Sequence, residues 1–211
     1  MNVEPKGAGV EIPVDDYVLD LLRLFGLLDK YESAKDAEAK GKVLAAAWRQ
    51  IWETPPAFAR GISKLSGKRL ELDVCAEAHT KKAPYYFGPG SAHPDAFAVT
   101  SWSSYVLVHG AGWCNPPFND IPRWSARLLE ESKHAPFFLL VPPRTDQRWW
   151  HALKAHPEAF RTDILGRPKF LPPKGVKAST PGGGGVVWAS GWPHRVLPPS
   201  RSKDEIRAAG A

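Results

Sequence analysis

From residue 70 to residue 190 the chain alternates short apolar runs of strand length with helix-start signals. Five runs have this character, and they fall at residues 70–75, 105–114 in part, 137–142, 160–165 and 185–189. Asn119 or Asp120 caps one intervening helix, and Asp146 caps another. This alternation predicts an α/β fold, with a mostly parallel, twisted sheet that has helices on both faces.

A different periodicity occupies the first 50 residues. Apolar side chains recur at helical spacing in residues 16–30 and again in 33–52, which predicts an N-terminal helical hairpin. We expect Thr54-Pro55-Pro56 to end it. The hairpin either packs against the main domain or mediates dimerisation or DNA contact, and the pattern leaves these alternatives open.

The chain has 211 residues, which is enough for one full core with a small appendage. We therefore divide it into a hairpin over 1–50, one catalytic domain over 51–192 and a basic tail over 193–211. The polar composition of the tail is compatible with disorder.

Positive charge is concentrated in the last third of the sequence. Residues 144–211 carry 12 Lys and Arg but only 5 Asp and Glu, whereas the whole chain has a net charge of +6. A localised basic surface suits a polyanion such as DNA, because neutralised phosphates release condensed counterions. On charge alone, a basic surface that serves only solubility fits equally well.

Several classes of protein do not fit this composition. No apolar run approaches the roughly 20 residues of a membrane span, and the N-terminus lacks signal-peptide features, so we expect a cytoplasmic protein without a membrane partner. Cys75 and Cys114 cannot define a disulfide scaffold. No second ligand pair accompanies Cys75 and His79, so we expect no metal site.

Polar residues follow the predicted strands at the edge where ligands collect in open α/β sheets. Asp73, Asn115 and Arg144 all stand at predicted carboxyl ends. Asn115 begins the tetrapeptide Asn-Pro-Pro-Phe, in which an amide, two prolines and an aromatic ring form a rigid corner. The combination indicates chemistry on a base that has left its stack.

An ordered set of motifs covers about residues 50–190: Trp52-Glu53-Thr54-Pro55, Leu72-Asp73-Val74-Cys75-Ala76, Asp95 with Trp102, Trp113-Cys114-Asn115-Pro116-Pro117-Phe118, Leu140-Val141-Pro142-Pro143-Arg144-Thr145-Asp146, Trp149-Trp150 and Gly166-Arg167-Pro168-Lys169-Phe170. In this order the set resembles the phage-type Dam family of DNA N6-adenine methyltransferases. The resemblance implies a class I (Rossmann-like) methyltransferase fold and S-adenosyl-L-methionine as methyl donor. It also implies the cytoplasm of a bacterial host, if the chain is encoded by a phage or prophage.

The resemblance assigns catalysis to four residues, Asn115, Pro116, Pro117 and Phe118. The Asn115 side-chain oxygen and the Pro116 carbonyl would accept hydrogen bonds from the adenine amine and favour the tetrahedral nitrogen that attacks the methyl group. Phe118 would stack on the extruded base, or it could be a core aromatic. Because asparagine is neutral, we expect Asn115 to be an acceptor and not a general base.

The resemblance implies a set of donor-binding residues, and the basic last third of the sequence indicates a set of DNA-binding residues. The donor-binding residues are Thr54, Pro55, Asp73, Cys75, Ala76, Asp95 and Asn115. The DNA-binding residues are Arg144, Arg167, Lys169, Lys174 and Lys177, the two last within a basic, proline- and glycine-rich loop.

Each donor or arginine assignment has a structural alternative. Asp73 could cap a helix, Asp95 could form a turn, and Thr54-Pro55 could simply end a helix. Arg144 and Arg167 could pair with Asp146 or Asp163. The chain also lacks the glycine-rich FxGxG donor loop of many methyltransferases.

Three alternatives to DNA adenine methylation remain open. Protein-glutamine methyltransferases hold a planar amide with a similar motif, although they usually carry a glycine-rich donor loop. RNA adenine methylation would use the same chemistry. A non-catalytic DNA-binding module would retain the shell without turnover.

Overall fold

The computed structural model of the protein describes residues 16–48, 52–166, 168–172, 185–191, 197 and 199–211. The α-helices within these ranges are α1 Asp16–Leu24, α2 Leu28–Glu32, α3 Ala37–Trp48, α4 Pro56–Ser66, α5 Ile121–Glu131, α6 Arg148–Ala155 and α7 Lys203–Ala209. The strands are β1 Arg69–Asp73, β2 Tyr85–Tyr86, β3 Gly110–Cys114, β4 Phe137–Val141, β5 Phe160–Leu165, β6 Gly185–Ser190 and β7 Ser200–Ser202.

These strands form one sheet in the order β2-β1-β3-β4-β6-β5-β7. The four strands from β2 to β4 are parallel, and β7 is parallel to β5. Strand β6 is antiparallel to both β4 and β5, so the sheet is mixed. Antiparallel neighbours need no crossover helix, which agrees with the proline- and glycine-rich sequence between β5 and β6.

Helices cover both faces of the sheet, as the alternating pattern predicts. Phe137 and Leu139 of β4 belong to a core cluster with residues of α5 and α6. Phe138 and Leu140 belong to the opposite cluster, which contains residues of α4 and α7. Successive side chains of a strand point to opposite faces, so β4, buried along its whole length, joins the two cores.

The N-terminal part contains three helices rather than the two of a hairpin. Helix α1 ends before Gly26, whose φ of +63° lies in the left-handed region that favours glycine. The short α2 and the longer α3 follow. The three helices share their own apolar cluster, formed by Val18, Leu21, Leu22, Val43, Leu44 and Ala47.

The residues Thr54-Pro55-Pro56 begin a helix rather than end one. Helix α3 already ends at Trp48, and Pro56 is the first residue of α4. Proline suits this position because the first helical N–H has no partner within the helix. The tandem prolines signal a helix boundary in either direction, and only the structure shows which side is helical.

Residues 200–209 of the C-terminal segment form β7 and α7, although the composition of the segment is compatible with disorder. Ser202 and Glu205 form a reciprocal capping box at the start of α7. Ile206 is buried in the cluster that contains α4 residues, and the Arg60 Nε atom donates to the Gly210 carbonyl at 2.7 Å. This packing orders the segment.

The two predicted helix starts differ in accuracy. Helix α5 begins at Ile121, directly after Asp120, although the Asp120 side chain makes no capping hydrogen bond. Helix α6 begins at Arg148 after Gln147, so the prediction that Asp146 caps it is wrong.

Among the described residues, none of the helices has both the length and the apolar character needed to cross a bilayer.

Candidate active site

A cavity of about 680 Å³ opens beside the carboxyl ends of β1 and β3. In an open α/β sheet this edge is where ligands bind, because the loops that leave the strands converge there. Seven predicted site residues line the cavity: Thr54, Asp73, Cys75, Ala76, Asp95, Asn115 and Pro117. Residues that are far apart in the chain therefore share one cleft.

Three other predicted residues adjoin this cavity in sequence without lining it. Pro55 precedes the first turn of α4, and Pro116 is buried. Phe118 is half-buried and packs partly against the core cluster of α5 and α6. One part of the Phe118 ring therefore packs in the core, which is the alternative to base stacking that the sequence left open. The other part of the ring remains exposed.

Asn115 lines the cavity and has an unsatisfied hydrogen-bond acceptor. Its Nδ2 atom donates to the Trp52 carbonyl at 3.2 Å, which fixes the orientation of the amide. Its Oδ1 atom is buried and has no hydrogen-bond partner among the described residues. Because an unpaired buried acceptor costs about 1–3 kcal/mol, a ligand donor at this point would be stabilising.

Thr54, which lines the same cavity, has a second unsatisfied polar atom. The residue is 2% exposed, and no partner for its Oγ1 atom is found in the described part of the chain. Buried polar groups are nearly always paired in folded proteins. Two such groups lining one cleft indicate that it binds a polar ligand.

Asp73 organises the loop that follows β1. It is 3% exposed, and its Oδ1 and Oδ2 atoms accept from the backbone N–H groups of Cys75 at 3.2 Å and Lys82 at 3.0 Å. Burial raises the pKa of the carboxyl to about 6, although these two hydrogen bonds and the Lys82 charge oppose the rise. No helix follows within the described residues 74–84, so Asp73 caps a loop and not a helix.

A close backbone approach shapes the loop between β1 and β2. Gly88 has a φ of +139°, and a Cβ atom there would lie 2.0 Å from the Ala76 carbonyl oxygen. The Ala76 N–H donates to the Phe87 carbonyl at 3.1 Å. Only glycine allows the chain to pass so near Ala76.

The two cysteines are not reactive nucleophiles in this environment. Burial is the main reason that the pKa of both the Cys75 and the Cys114 thiol lies above its usual value. Both thiols are therefore protonated at neutral pH. The described residues contain no group of three or more side chains that would hold a metal ion.

Asp95 and an aromatic wall form another side of the cavity. The Asp95 Oδ1 atom accepts from the Phe97 N–H at 2.8 Å and caps a 3-10 helix over Ala96–Ala98, so the turn predicted as an alternative is present. The Phe97 ring contacts Trp124 at a centroid distance of 4.7 Å. The Arg123 guanidinium carbon lies 3.7 Å from the Phe97 centroid.

The sequence interpretation missed several residues of the cavity. Lys82 and Glu53 form an ion pair of 2.7 Å, with the Lys82 side chain only 4% exposed. Leu21 of α1 and Phe25, which directly follows that helix, also line the cleft. Their spacing signals only a helical face, and Lys81-Lys82 has the sequence of an ordinary charged surface.

The predicted DNA-binding residues lie apart from the cavity or outside the described residues. Arg144 and Lys169 are exposed and do not line it. Arg144 lies in the loop after β4, at the carboxyl end of that strand. Arg167, Lys174 and Lys177 are outside the described residues.

The predicted surface partners of the arginines, Asp146 and Asp163, form hydrogen bonds with other described residues, and Arg167 lies outside the described residues. The Asp146 carboxylate accepts from the Gln147 side chain at 2.7 Å, and this bond is the main reason that its pKa is lowered. The Arg144 charge makes a smaller contribution in the same direction. Asp163 pairs with Arg161 at 2.8 Å.

The charge of the lining favours a cationic ligand. Its carboxylates outnumber its lysines and arginines, and the acidic residues are Glu53, Asp73, Glu77, Asp95 and Asp120. Lys82 is itself paired with Glu53. A cleft with excess negative charge and an unpaired amide oxygen can hold a positively charged ligand beside a group that donates hydrogen bonds.

A family model described as "DNA N-6-adenine-methyltransferase (Dam)" matches residues 41–187 of the chain. The match includes every motif from Trp52 to Phe170 and most of the sheet. It begins within α3, so α1 and α2 precede it. No curated protein matches the chain.

Proposed function

The chain belongs to the DNA N-6-adenine-methyltransferase (Dam) family, and we propose that it transfers a methyl group from S-adenosyl-L-methionine to the exocyclic amine of an extruded adenine in DNA. The observation that carries this proposal is the buried, unpaired Oδ1 atom of Asn115, a residue that lines the cavity. A hydrogen-bond acceptor fixed at that point fits an amine.

The cavity has features that fit the methyl donor. Its volume falls within the roughly 300–1,000 Å³ of small-molecule sites, and its acidic lining suits a ligand with sulfonium and ammonium groups. We assign donor contacts to Thr54, Pro55, Asp73, Cys75, Ala76, Asp95 and Asn115. When bound, S-adenosyl-L-methionine supplies an electrophilic methyl group. A class I fold is part of the same proposal and is compatible with the mixed α/β sheet.

Asn115 would act by orienting the target amine. The adenine amine is a poor nucleophile because its lone pair is delocalised into the ring. Its hydrogens would be held by Asn115 Oδ1 and the Pro116 carbonyl, which favours a tetrahedral nitrogen. Both bonds strengthen as positive charge develops on that nitrogen, so they stabilise the transition state more than the ground state.

Pro117 and Phe118 would complete the site for the extruded base. The prolines stiffen the corner after β3, since each fixes its own φ. The exposed part of the Phe118 ring would stack on the adenine, an interaction worth roughly 1–3 kcal/mol. That gain offsets much of the few kcal/mol that base extrusion costs.

The DNA backbone would be held by basic side chains from the last third of the sequence. Arg144 and Lys169 are exposed, and Arg167, Lys174 and Lys177 belong to the same basic third of the sequence. Arginine can bind two phosphate oxygens at once through its two parallel N–H groups.

Dimerisation through the N-terminal helices and residence in the cytoplasm remain predictions.

The test is a methyl-transfer assay with labelled donor on unmethylated duplex DNA, followed by sequencing that maps modified adenines. Parallel reactions with RNA and with glutamine-containing protein discriminate the alternative substrates. Transfer to adenine in DNA is the expected result. Titration calorimetry that shows no donor binding would contradict any methyltransferase role and favour a non-catalytic module.

Asn115→Ala tests the assigned role directly. We expect it to abolish methyl transfer while donor affinity stays nearly unchanged, because the amine and not the donor is its main partner. Ser104→Ala, an exposed change away from the cavity, serves as the control. A collapse of donor affinity in Asn115→Ala would show that the role is misassigned.

A further inference from the structure

The peptide unit between Trp52 and Glu53 is held on both of its sides. Its carbonyl, from Trp52, accepts the hydrogen bond from Asn115 Nδ2 at 3.2 Å. Its N–H, from Glu53, donates to the Leu171 carbonyl at 3.0 Å. A peptide unit is planar, so any rotation that breaks the second bond also turns the carbonyl away from Asn115.

The Glu53 side chain anchors the same peptide to the loop after β1. Its Oε1 atom accepts from Lys82 Nζ at 2.7 Å. Lys82 also donates from Nζ to the Thr80 carbonyl, and its backbone N–H donates to the Asp73 carboxylate. One buried lysine therefore connects the loop that Asp73 organises with the peptide that orients Asn115.

An ion pair that is largely removed from water, with the Glu53 side chain 20% and the Lys82 side chain 4% exposed, is a costly way to join two segments. Removing two charges from water costs several kcal/mol per ion in real proteins, and apolar replacements are often as stable. What an ion pair with a 2.7 Å separation provides is a fixed geometry. Here that geometry lies one residue from the carbonyl that orients Asn115.

We propose that Glu53 and Lys82 are positioning residues for methyl transfer. They hold the Trp52 carbonyl in place, so that Asn115 Nδ2 stays bound and Oδ1 stays free for the target amine. The inference rests on the proposed function, because that function assigns the amine to Asn115. The orientation of the Asn115 amide can nevertheless be measured without any activity.

Side-chain amide exchange gives that first measurement. The chain has only three asparagines and two glutamines, so the Asn115 carboxamide is readily resolved by NMR. Loss of a hydrogen bond worth about 0.5–1.5 kcal/mol should speed exchange of its protons by up to about tenfold. We expect this faster exchange of the Asn115 carboxamide in both Glu53→Gln and Lys82→Met. Exchange of the Asn119 carboxamide should change little.

Lys81→Met is the matched control, because Lys81 is the adjacent lysine but is exposed and does not line the cavity. It should leave Asn115 exchange unchanged. Exchange at Asn115 that is equally slow in the wild type, Glu53→Gln and Lys82→Met would overturn the proposal. The double variant Glu53→Gln/Lys82→Met contains no unpaired buried charge and keeps the test available if a single variant fails to fold.

Kinetics give the second measurement. At saturating donor and DNA, each single variant should lower kcat by roughly tenfold or more, since small displacements of a positioning group are costly. Donor affinity by calorimetry should change by less than about threefold, and the double variant should be no slower than the slower single variant. The losses are not additive because both substitutions remove the same interaction, the ion pair between Glu53 and Lys82.

The opposite kinetic pattern would overturn the inference. Weakened donor affinity with an unchanged saturating rate would mean that Glu53 or Lys82 contacts the donor directly. Additive losses in the double variant would mean that the two residues act separately. Absence of any transfer by the wild type would instead refute the proposed function, and the NMR measurement would still decide the orientation of Asn115.

Discussion

Replacing Asp73 by asparagine tests the energetic consequence of burying its carboxylate. Burial raises the pKa of this group from its usual 3.8 to about 6. One pKa unit corresponds to about 1.4 kcal/mol. The rise therefore means that folding shifts the free-energy difference between the ionised and the protonated carboxyl by about 3 kcal/mol in favour of the protonated form. The folded state binds this proton more tightly than the unfolded state.

The sign of the pH dependence follows from that difference. The stability gained from protonating Asp73 is fully present below about pH 4 and is lost as the pH rises through about 6. Asparagine is neutral at every pH, so the stability of the variant has no contribution from protonation at this position. Its side-chain oxygen can serve only one of the two N–H groups bound by Asp73, which is a cost that does not depend on pH.

Urea unfolding of both proteins at several pH values measures the effect. The difference between the free energies of unfolding of the wild type and of Asp73→Asn should fall by about 3 kcal/mol from about pH 3 to about pH 7. Asp29→Asn, an exposed change in α2, should show a difference that varies by less than about 0.5 kcal/mol. A constant difference for Asp73→Asn would refute the argument that its carboxyl is destabilised by burial.

Three further predictions concern the base, the loop and the DNA. Phe118→Ala should reduce methylation of paired adenine more than that of mispaired adenine, because a mispaired base costs less to extrude; full activity on duplex DNA would count against stacking. Gly88→Ala should lower the free energy of unfolding in urea by about 3 kcal/mol or more, since its Cβ atom would meet the Ala76 carbonyl at 2.0 Å. Stability equal to that of the wild type would contradict this contact. Arg144→Ala should weaken DNA binding and reduce the slope of log K against log salt by about 0.9, the value for one phosphate contact. An unchanged slope would exclude that contact.

Local patterns predicted much of the fold correctly. The apolar runs at 137–142 and 185–189 correspond to β4 and β6. They are visible because a buried strand is a continuous apolar run bounded by turn or helix signals. The predictions failed where the local signal was ambiguous, as at Pro55-Pro56, or weak, as at the two-residue β2 and the short β7.

The candidate site was predicted in part, for a similar reason. Asp73 and Asn115 stand at strand ends, and strand ends of a parallel sheet share an edge. Residues without such a signal were missed. Lys82 lies in a loop and resembles its exposed neighbour Lys81, and its burial follows only from its contacts with Glu53 and Asp73.

The sequence by itself determined the family, through the ordered motifs around Asn115-Pro116-Pro117-Phe118, and the alternation that builds an α/β sheet. These properties depend on residue type and short spacing, which the chain displays directly. The tertiary structure alone decided the direction of β6 and the orientation of the Asn115 amide. The bond from Asn115 to Trp52 joins residues 63 positions apart. Such a contact exists only after folding, because side-chain orientation depends on the three-dimensional surroundings and not on local spacing.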